Sequence, residues 1–283
     1  MKVLVTGAGG QLGHDLRIHC EAMGDEVVAA THGALDVADR DAVYQAVLSI
    51  RPDVVLHAGA WTAVDACEDD PDRAFRVNAL GSRWVADASR RSGAHLCYVS
   101  TDYVFDGSKD GPYVEWDPTG PQSVYGASKL GGEHEVAEHA PGACTVRTSW
   151  VCGEHGGNMV RTVLGLVDRP ELAFVDDQRG CPSFTTDLAV AIRSLAASRV
   201  PGLFHVTNQG VATWYEFVRD ILAAAGHDPV KVRPIATADL DPPRPAPRPA
   251  NSVLDNAALR AAGFPLLPHY RESLGHLVKR LTG

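Results

Sequence analysis

Lys2-Val3-Leu4-Val5-Thr6-Gly7-Ala8-Gly9-Gly10-Gln11-Leu12-Gly13 is the stretch that decides the fold class. Residues 2–6 form a short β-branched run, the composition of a strand buried on both faces of a parallel sheet. A glycine turn follows at once. A helical pattern then runs through Leu16, Cys20 and Met23 and stops at Gly24. Strand, glycine turn and helix in that order make a phosphate cradle. Gly7 permits the tight turn, Gly10 lets the backbone approach a pyrophosphate, and Gly13 lets helix and strand pack closely. The spacing is Gly-x-x-Gly-x-x-Gly rather than Gly-x-Gly-x-x-Gly. A glycine-rich turn that holds no ligand is the plainer alternative, and the strand and helix around it disfavour that reading.

Outward from this unit the rhythm repeats. Apolar runs at about 26–31, 53–58, 95–100 and 143–148 read as strands, with helical patterns at about 10–23, 39–50, 71–92 and 123–139. Asp39, Pro71 and Ser123 mark helix starts. A βαβα series predicts an α/β fold with a doubly wound, mostly parallel, Rossmann-like sheet. After about residue 150 glycine and proline become common and the rhythm loosens. The expected division is a dinucleotide-binding domain over 1–150 and a smaller C-terminal α/β substrate domain over 151–283, with a segment near 181–206 returning to the first. Asp241-Pro242-Pro243-Arg244-Pro245-Ala246-Pro247-Arg248-Pro249 cannot be a regular helix or a central strand. An ordered loop over the substrate is favoured there over a polyproline ligand, because a patterned helix follows.

Composition sets the outer limits. The 283 residues suffice for one large or two unequal domains. A net charge of −9 argues against nucleic acid or an anionic membrane as partner. No apolar run reaches the ~20 residues that span a bilayer. Gly7 opens a turn where a signal peptide would be apolar, so a cytoplasmic protein is expected. The six cysteines, Cys20, Cys67, Cys97, Cys144, Cys152 and Cys181, include no Cys-x-x-Cys and read as reduced, mostly buried small hydrophobes. Among twelve histidines the nearest approach to a metal motif is His134 and His139, five apart, which diverge around a helix. No metal ligands are therefore assigned.

Chemistry concentrates in Tyr125-Gly126-Ala127-Ser128-Lys129. A phenol and an ammonium four apart share one helix face. A phenol titrates near pH ~10 in water, and a neighbouring ammonium lowers that value. Such a pair alone is common on solvated helices. It gains weight here beside the cradle and beside Thr101, which an apolar strand over 95–99 delivers to the carboxyl edge of the sheet.

Together these residues resemble the extended short-chain dehydrogenase/reductase superfamily, with its Ser/Thr and Tyr-x-x-x-Lys set. Further motifs narrow the resemblance: Thr62-Ala63-Val64-Asp65, Ser100-Thr101-Asp102-Tyr103-Val104-Phe105-Asp106-Gly107, Arg147-Thr148-Ser149-Trp150-Val151, Asp177-Gln178-Arg179-Gly180-Cys181-Pro182, Thr213-Trp214-Tyr215-Glu216-Phe217 and Arg248-Pro249-Ala250-Asn251-Ser252-Val253-Leu254-Asp255. In this order, over nearly the whole chain, they are similar to the dTDP-4-dehydrorhamnose reductase family. Pro182-Ser183 stands where that family usually has Pro-Thr, and Trp61 where it commonly has Tyr or His.

The resemblance implies hydride transfer from NAD(P)H to the 4-keto group of a dTDP-4-dehydro-6-deoxy-L-hexose, giving dTDP-L-rhamnose. It makes Tyr125 the proton donor and Lys129 the group that lowers the Tyr125 pKa and holds the nicotinamide ribose. Thr101 polarises the carbonyl, Asp102 positions a sugar hydroxyl and Trp150 forms an apolar wall. It places the cofactor against Gly7, Gly10, Gln11, Leu12, Gly13, Asp36, Val37, Ala58, Gly59, Ala60, Thr62, Tyr125 and Lys129. Asn78 would order Lys129 through water, or be satisfied locally. The second strand ends Ala30-Thr31-His32, with neither acid nor arginine, so NADPH is preferred and NADH remains acceptable. Magnesium dependence and a homodimer are left open. Three rivals were weighed. A 4,6-dehydratase needs Asp-Glu after the Thr, whereas here it is Asp102-Tyr103. A ketoreductase for another nucleotide-bound 4-keto-6-deoxy sugar, of an antibiotic or streptose-like pathway, is separated only by pocket shape. A non-catalytic subunit like the regulatory one of methionine adenosyltransferase is disfavoured by retention of Thr101, Tyr125 and Lys129.

Overall fold

Val3, Leu4 and Val5 are buried along β1 (Lys2–Thr6), as a strand covered on both faces requires. The computed structural model describes residues 1–283. It carries β2 (Glu26–Ala30), β3 (Val54–His57), β4 (His95–Thr101), β5 (Cys144–Thr148) and a later strand, Gly202–His205. These pair in parallel in the order Gly202–His205, β5, β4, β3, β1, β2. The chain runs outward from β1 to β2, then crosses back to β3 on the other side. The reversal lies between β1 and β3, and ligands bind at such switch points, beyond the carboxyl ends of the strands.

Alternate residues of the strands feed opposite layers. Val3, Val5, Val54, Leu56 and Val146 join Leu12, Leu16 and Cys20 of α1 (Gln11–Ala22). Leu4, Val55, Leu96 and Tyr98 join Val43 and Val47 of α2 (Arg40–Ile50). Two short helices follow, α3 (Val64–Asp69) and α4 (Pro71–Phe75). Beyond α5 (Gly81–Ser92) and α6 (Val124–His139) come α7 (Met159–Leu164), α8 (Thr185–Ala197) and α9 (Trp214–Ala224). Leu188, Ile192 and Leu195 of α8 complete the α1 layer. A separate cluster around Val160, Phe217, Ile221, Leu274 and Leu277 holds the later helices together.

Two local features depart from expectation. The helix expected over 71–92 is interrupted by a π-turn at Arg76–Leu80, and α3 was not foreseen. A six-residue helix shows too little period to read. The π-turn carries Asn78, whose side chain accepts from Trp61 N at 2.8 Å and donates to Ser128 Oγ at 2.9 Å. The wide turn thus ties the segment after β3 to α6. No helix is long and apolar enough to cross a membrane. All six cysteines are free and buried, as small hydrophobes would be.

Candidate active site

A cavity of about 880 Å3 opens at the switch point. Every residue singled out above as catalytic, sugar-binding or cofactor-binding lines it, from Gly7 to Trp150. Chain segments far apart in sequence meet because the parallel strands deliver their carboxyl ends to one edge.

The cradle is built by backbone. Gly7 has φ +69°, and a Cβ there would lie 2.6 Å from Gly59 N. A Cβ on Gly13 would lie 2.1 Å from Gly7 O, so helix and turn touch directly. Gly10 differs. Its added Cβ would meet only Gly7 O, at 3.3 Å, so its other side faces the cavity. No side chain caps α1 and no acid stands in its first turn. Its N–H groups and positive dipole end are left for an anion, which fits a dinucleotide pyrophosphate. The Gln11 side chain is engaged elsewhere: it donates to Gly157 O at 2.9 Å and accepts from Asn158 Nδ2 at 2.8 Å. Gln11 therefore offers a ligand its backbone, and its amide ties the 153–158 loop to α1.

Ser123 caps α6 by accepting from Gly126 N at 3.1 Å, which sets the helix phase. Tyr125 and Lys129 then face the cavity, and both are buried. Lys129 Nζ donates to Val99 O at 2.7 Å and lies 4.2 Å from the centre of the Tyr98 ring. Burial pulls the Lys129 ammonium down to about 7, with Glu133 opposing. The expectation for Tyr125 reverses here. Burial pushes its phenol above the ordinary value of 10, and only the Thr101 hydroxyl pulls it back appreciably. Desolvation disfavours the charged form of both groups. The phenol is thus held protonated, the state a proton donor needs. Asn78 does not reach Lys129 by a direct hydrogen bond; its amide is spent on Trp61 and Ser128. Behind α6, Glu133 accepts from Ser100 Oγ at 2.6 Å and from Arg147 Nε at 2.8 Å. This buried network fixes α6 against β4 and β5.

The other end of the cavity is polar and underpaired. Thr101 Oγ1 donates to Asp102 Oδ1 at 3.0 Å, while Asp102 Oδ2 and Thr148 Oγ1 are buried without partners. Burial raises the Asp102 carboxyl to about 6, against hydrogen bonds from Ser252 and Thr101. Trp150 lies face to face with Trp214, ring centres 3.4 Å apart and planes 3° off parallel. Its φ of +45° is an outlier for a bulky residue. Both indoles line the cavity.

Residues 1–282 match the family model described as RmlD substrate binding domain. The chain belongs to the RmlD substrate-binding domain family. It is 42% identical over 287 residues to a dTDP-4-dehydrorhamnose reductase of Streptomyces griseus, covering 99% of this chain and 94% of that one. The crystal structure of a dTDP-4-dehydrorhamnose reductase from Clostridium acetobutylicum superposes with TM-score 0.96 at 38% identity, covering 100% of both chains. That of the Bacillus anthracis dTDP-4-dehydrorhamnose reductase in complex with NADP gives 0.94 at 37%, covering 99% of this chain and 100% of that one.

Within this RmlD-family cavity, several lining residues escaped the sequence reading. Arg73, Trp214 and Thr148 line it without having been assigned a role. Trp214 and Thr148 were visible only as parts of motifs, and Arg73 carries no signal in the sequence. The proline-rich segment is ordered as expected, with Arg248 Nη2 donating to Asp65 Oδ2 at 2.9 Å. It does not cover the substrate cavity, since no residue of 241–249 lines it. The clamp to Asp65 holds it to α3 instead. Tertiary structure also groups His14, Asp15 and His155, whose ligand atoms lie within 4.8 Å of one another, outside the cavity. No spacing in the sequence announces that group.

Proposed function

We propose that the chain is a dTDP-4-dehydrorhamnose reductase that uses NADPH. The observation that carries this is the convergence of Thr101, Tyr125 and Lys129 with the glycine cradle in one cavity, in a chain of the RmlD family. When bound, the dinucleotide supplies the hydride. The Tyr125 O–H gives its proton to the carbonyl oxygen of the sugar, and a second donor, Thr101, polarises the same oxygen. Lys129, charged below about pH 7, stabilises the phenolate left behind and grips the nicotinamide ribose. The pyrophosphate lies on the first turn of α1, over Gly10. At the end of β2 the cavity presents Thr31 and His32 rather than an acid, so no carboxylate at the strand end repels a 2′-phosphate, and NADPH is preferred. The cofactor-binding unit comprises residues 1–150 with about 181–206, and the remaining residues choose the sugar. Trp150 and Trp214 give the sugar ring an apolar face to pack on.

The test offers NADPH with a panel of dTDP-4-keto-6-deoxy sugars and follows the reduced-nicotinamide absorbance. Oxidation with the L-lyxo sugar, and dTDP-L-rhamnose as product by NMR, is expected. Turnover only with a different 4-keto sugar would replace this reading by the other ketoreductase. No turnover with any of them would overturn both.

A further inference from the structure

The Thr101 hydroxyl has one proton to give. It accepts a hydrogen bond from Tyr103 N at 3.2 Å and stands 3.0 Å from Asp102 Oδ1. An ionised carboxylate carries no proton, so in that pair Thr101 must donate. A Thr101 that donates to Asp102 has nothing left for a sugar carbonyl. The carboxylate is 2% exposed, its Oδ2 has no partner, and no cation stands against it. Turning the Thr101 proton away would take a close hydroxyl donor from Oδ1 while Oδ2 stays unpaired in a desolvated site, which is costly.

We propose that Asp102 is a positioning residue that must hold a proton for Thr101 to donate to the sugar carbonyl. Protonated at Oδ1, Asp102 donates to the free lone pair of Thr101 Oγ1. The Thr101 proton then points into the cavity, and Oδ2 still accepts from a sugar hydroxyl. The proton comes from solvent before hydride transfer, and only hydrogen bonds change. This rests on the ketone-reductase reading above. The surroundings favour it. The titratable groups facing Asp102 are the Tyr103 phenol of its own turn, the Tyr125 phenol of α6 and the Cys181 thiol, with the Ser252 hydroxyl as a further partner. Burial raises the pKa of all three of those groups, so they face it neutral at pH 7. Beyond them stand Lys129, held at about 7, and Arg248, which pairs with Asp65 and reaches the Tyr103 phenol.

The experiment measures kcat at saturating NADPH and sugar from pH 5.5 to 8 for wild type, Asp102→Asn and Thr101→Val. Each profile is normalised to its own maximum. An Asn amide donates to Thr101 at every pH, so this variant loses the titration of Asp102 and keeps that of Lys129. Between pH 6 and 8 the wild-type fall should exceed that of Asp102→Asn by at least about tenfold, as a group titrating near 6 demands. Thr101→Val should match Asp102→Asn in shape, because the effect passes through Thr101. Identical normalised profiles in wild type and Asp102→Asn would overturn the proposal. So would a wild-type slope retained in Thr101→Val, which would mean that Asp102 acts on the sugar directly. Infrared difference spectra of the wild type should also show a protonated-carboxyl band near pH 5.5 that Asp102→Asn lacks, and its absence would overturn the proposal without reference to turnover. A wild type inert toward every 4-keto sugar would sink the functional reading and this one with it, whereas turnover with parallel profiles would sink this one alone.

Discussion

The two ends of the cavity are built in different ways. The cradle at Gly7–Gly13 is backbone, contiguous in sequence, and its close contacts are made by main-chain atoms. The other end is side chain. Thr101 and Asp102, Thr148 and Trp150, and Trp214 come from three segments, and two of their polar atoms are buried without partners. A backbone cradle can bind an anion with little rearrangement, because its donors are fixed by the fold. Underpaired side chains instead store a cost that a substrate can relieve. The first design suits a cofactor shared by many reactions, and the second suits discrimination between similar sugars.

The largest effect should come from Tyr125→Phe, which keeps shape and removes the proton donor. Turnover should fall by ~10²–10⁴-fold with NADPH affinity little changed. Near-normal turnover would show that the reacting proton comes from elsewhere. Gly10→Val attacks the cradle alone. Because only the cavity side of Gly10 is open, the new side chain should occupy the pyrophosphate position and raise the NADPH Kd by roughly 100-fold, about 2.7 kcal/mol. Calorimetry giving wild-type affinity in a folded variant would displace the cradle from its assignment.

Trp150→Ala tests the other end. Loss of a buried aromatic face costs on the order of 1–3 kcal/mol, so the sugar KM should rise about 5- to 100-fold. The contact exists in ground and transition states alike, which leaves kcat and NADPH affinity nearly unmoved. An unchanged sugar KM would make the Trp150–Trp214 stack a purely structural feature. The last effect is on stability. The Asp102 carboxyl is raised in the folded protein from 3.8 to about 6. Its contribution to stability is therefore present below pH ~4 and lost as pH rises through about 6. Asp102→Asn should gain up to about 3 kcal/mol relative to wild type at pH 8 and little at pH 4, read as a Tm difference that grows with pH. A pH-independent difference would mean that the carboxyl is better solvated than its burial indicates.

Reading the sequence works best where geometry is local. The strand, turn and helix over residues 2–22, and the four-residue offset of Tyr125 and Lys129, depend on spacings that a chain of any sequence must obey. The Ser123 cap was legible for the same reason. Spacing carries nothing about desolvation. It placed Lys129 beside Tyr125 and predicted a lowered phenol, whereas burial raises it.

By itself, then, the sequence determined the parallel sheet, the glycine turn and the shared helix face of Tyr125 and Lys129, because period, turn chemistry and helix phase are properties of neighbours along the chain. Only the tertiary structure decided which groups lie dry and which have partners. It set Trp214 against Trp150, bound Asn78 to Trp61 and Ser128, drew the proline-rich segment to Asp65 instead of over the cavity, and left Asp102 half-paired beside Thr101. Hydrogen-bond partners and local dielectric are fixed by atoms that meet only on folding, and these decide where protons reside.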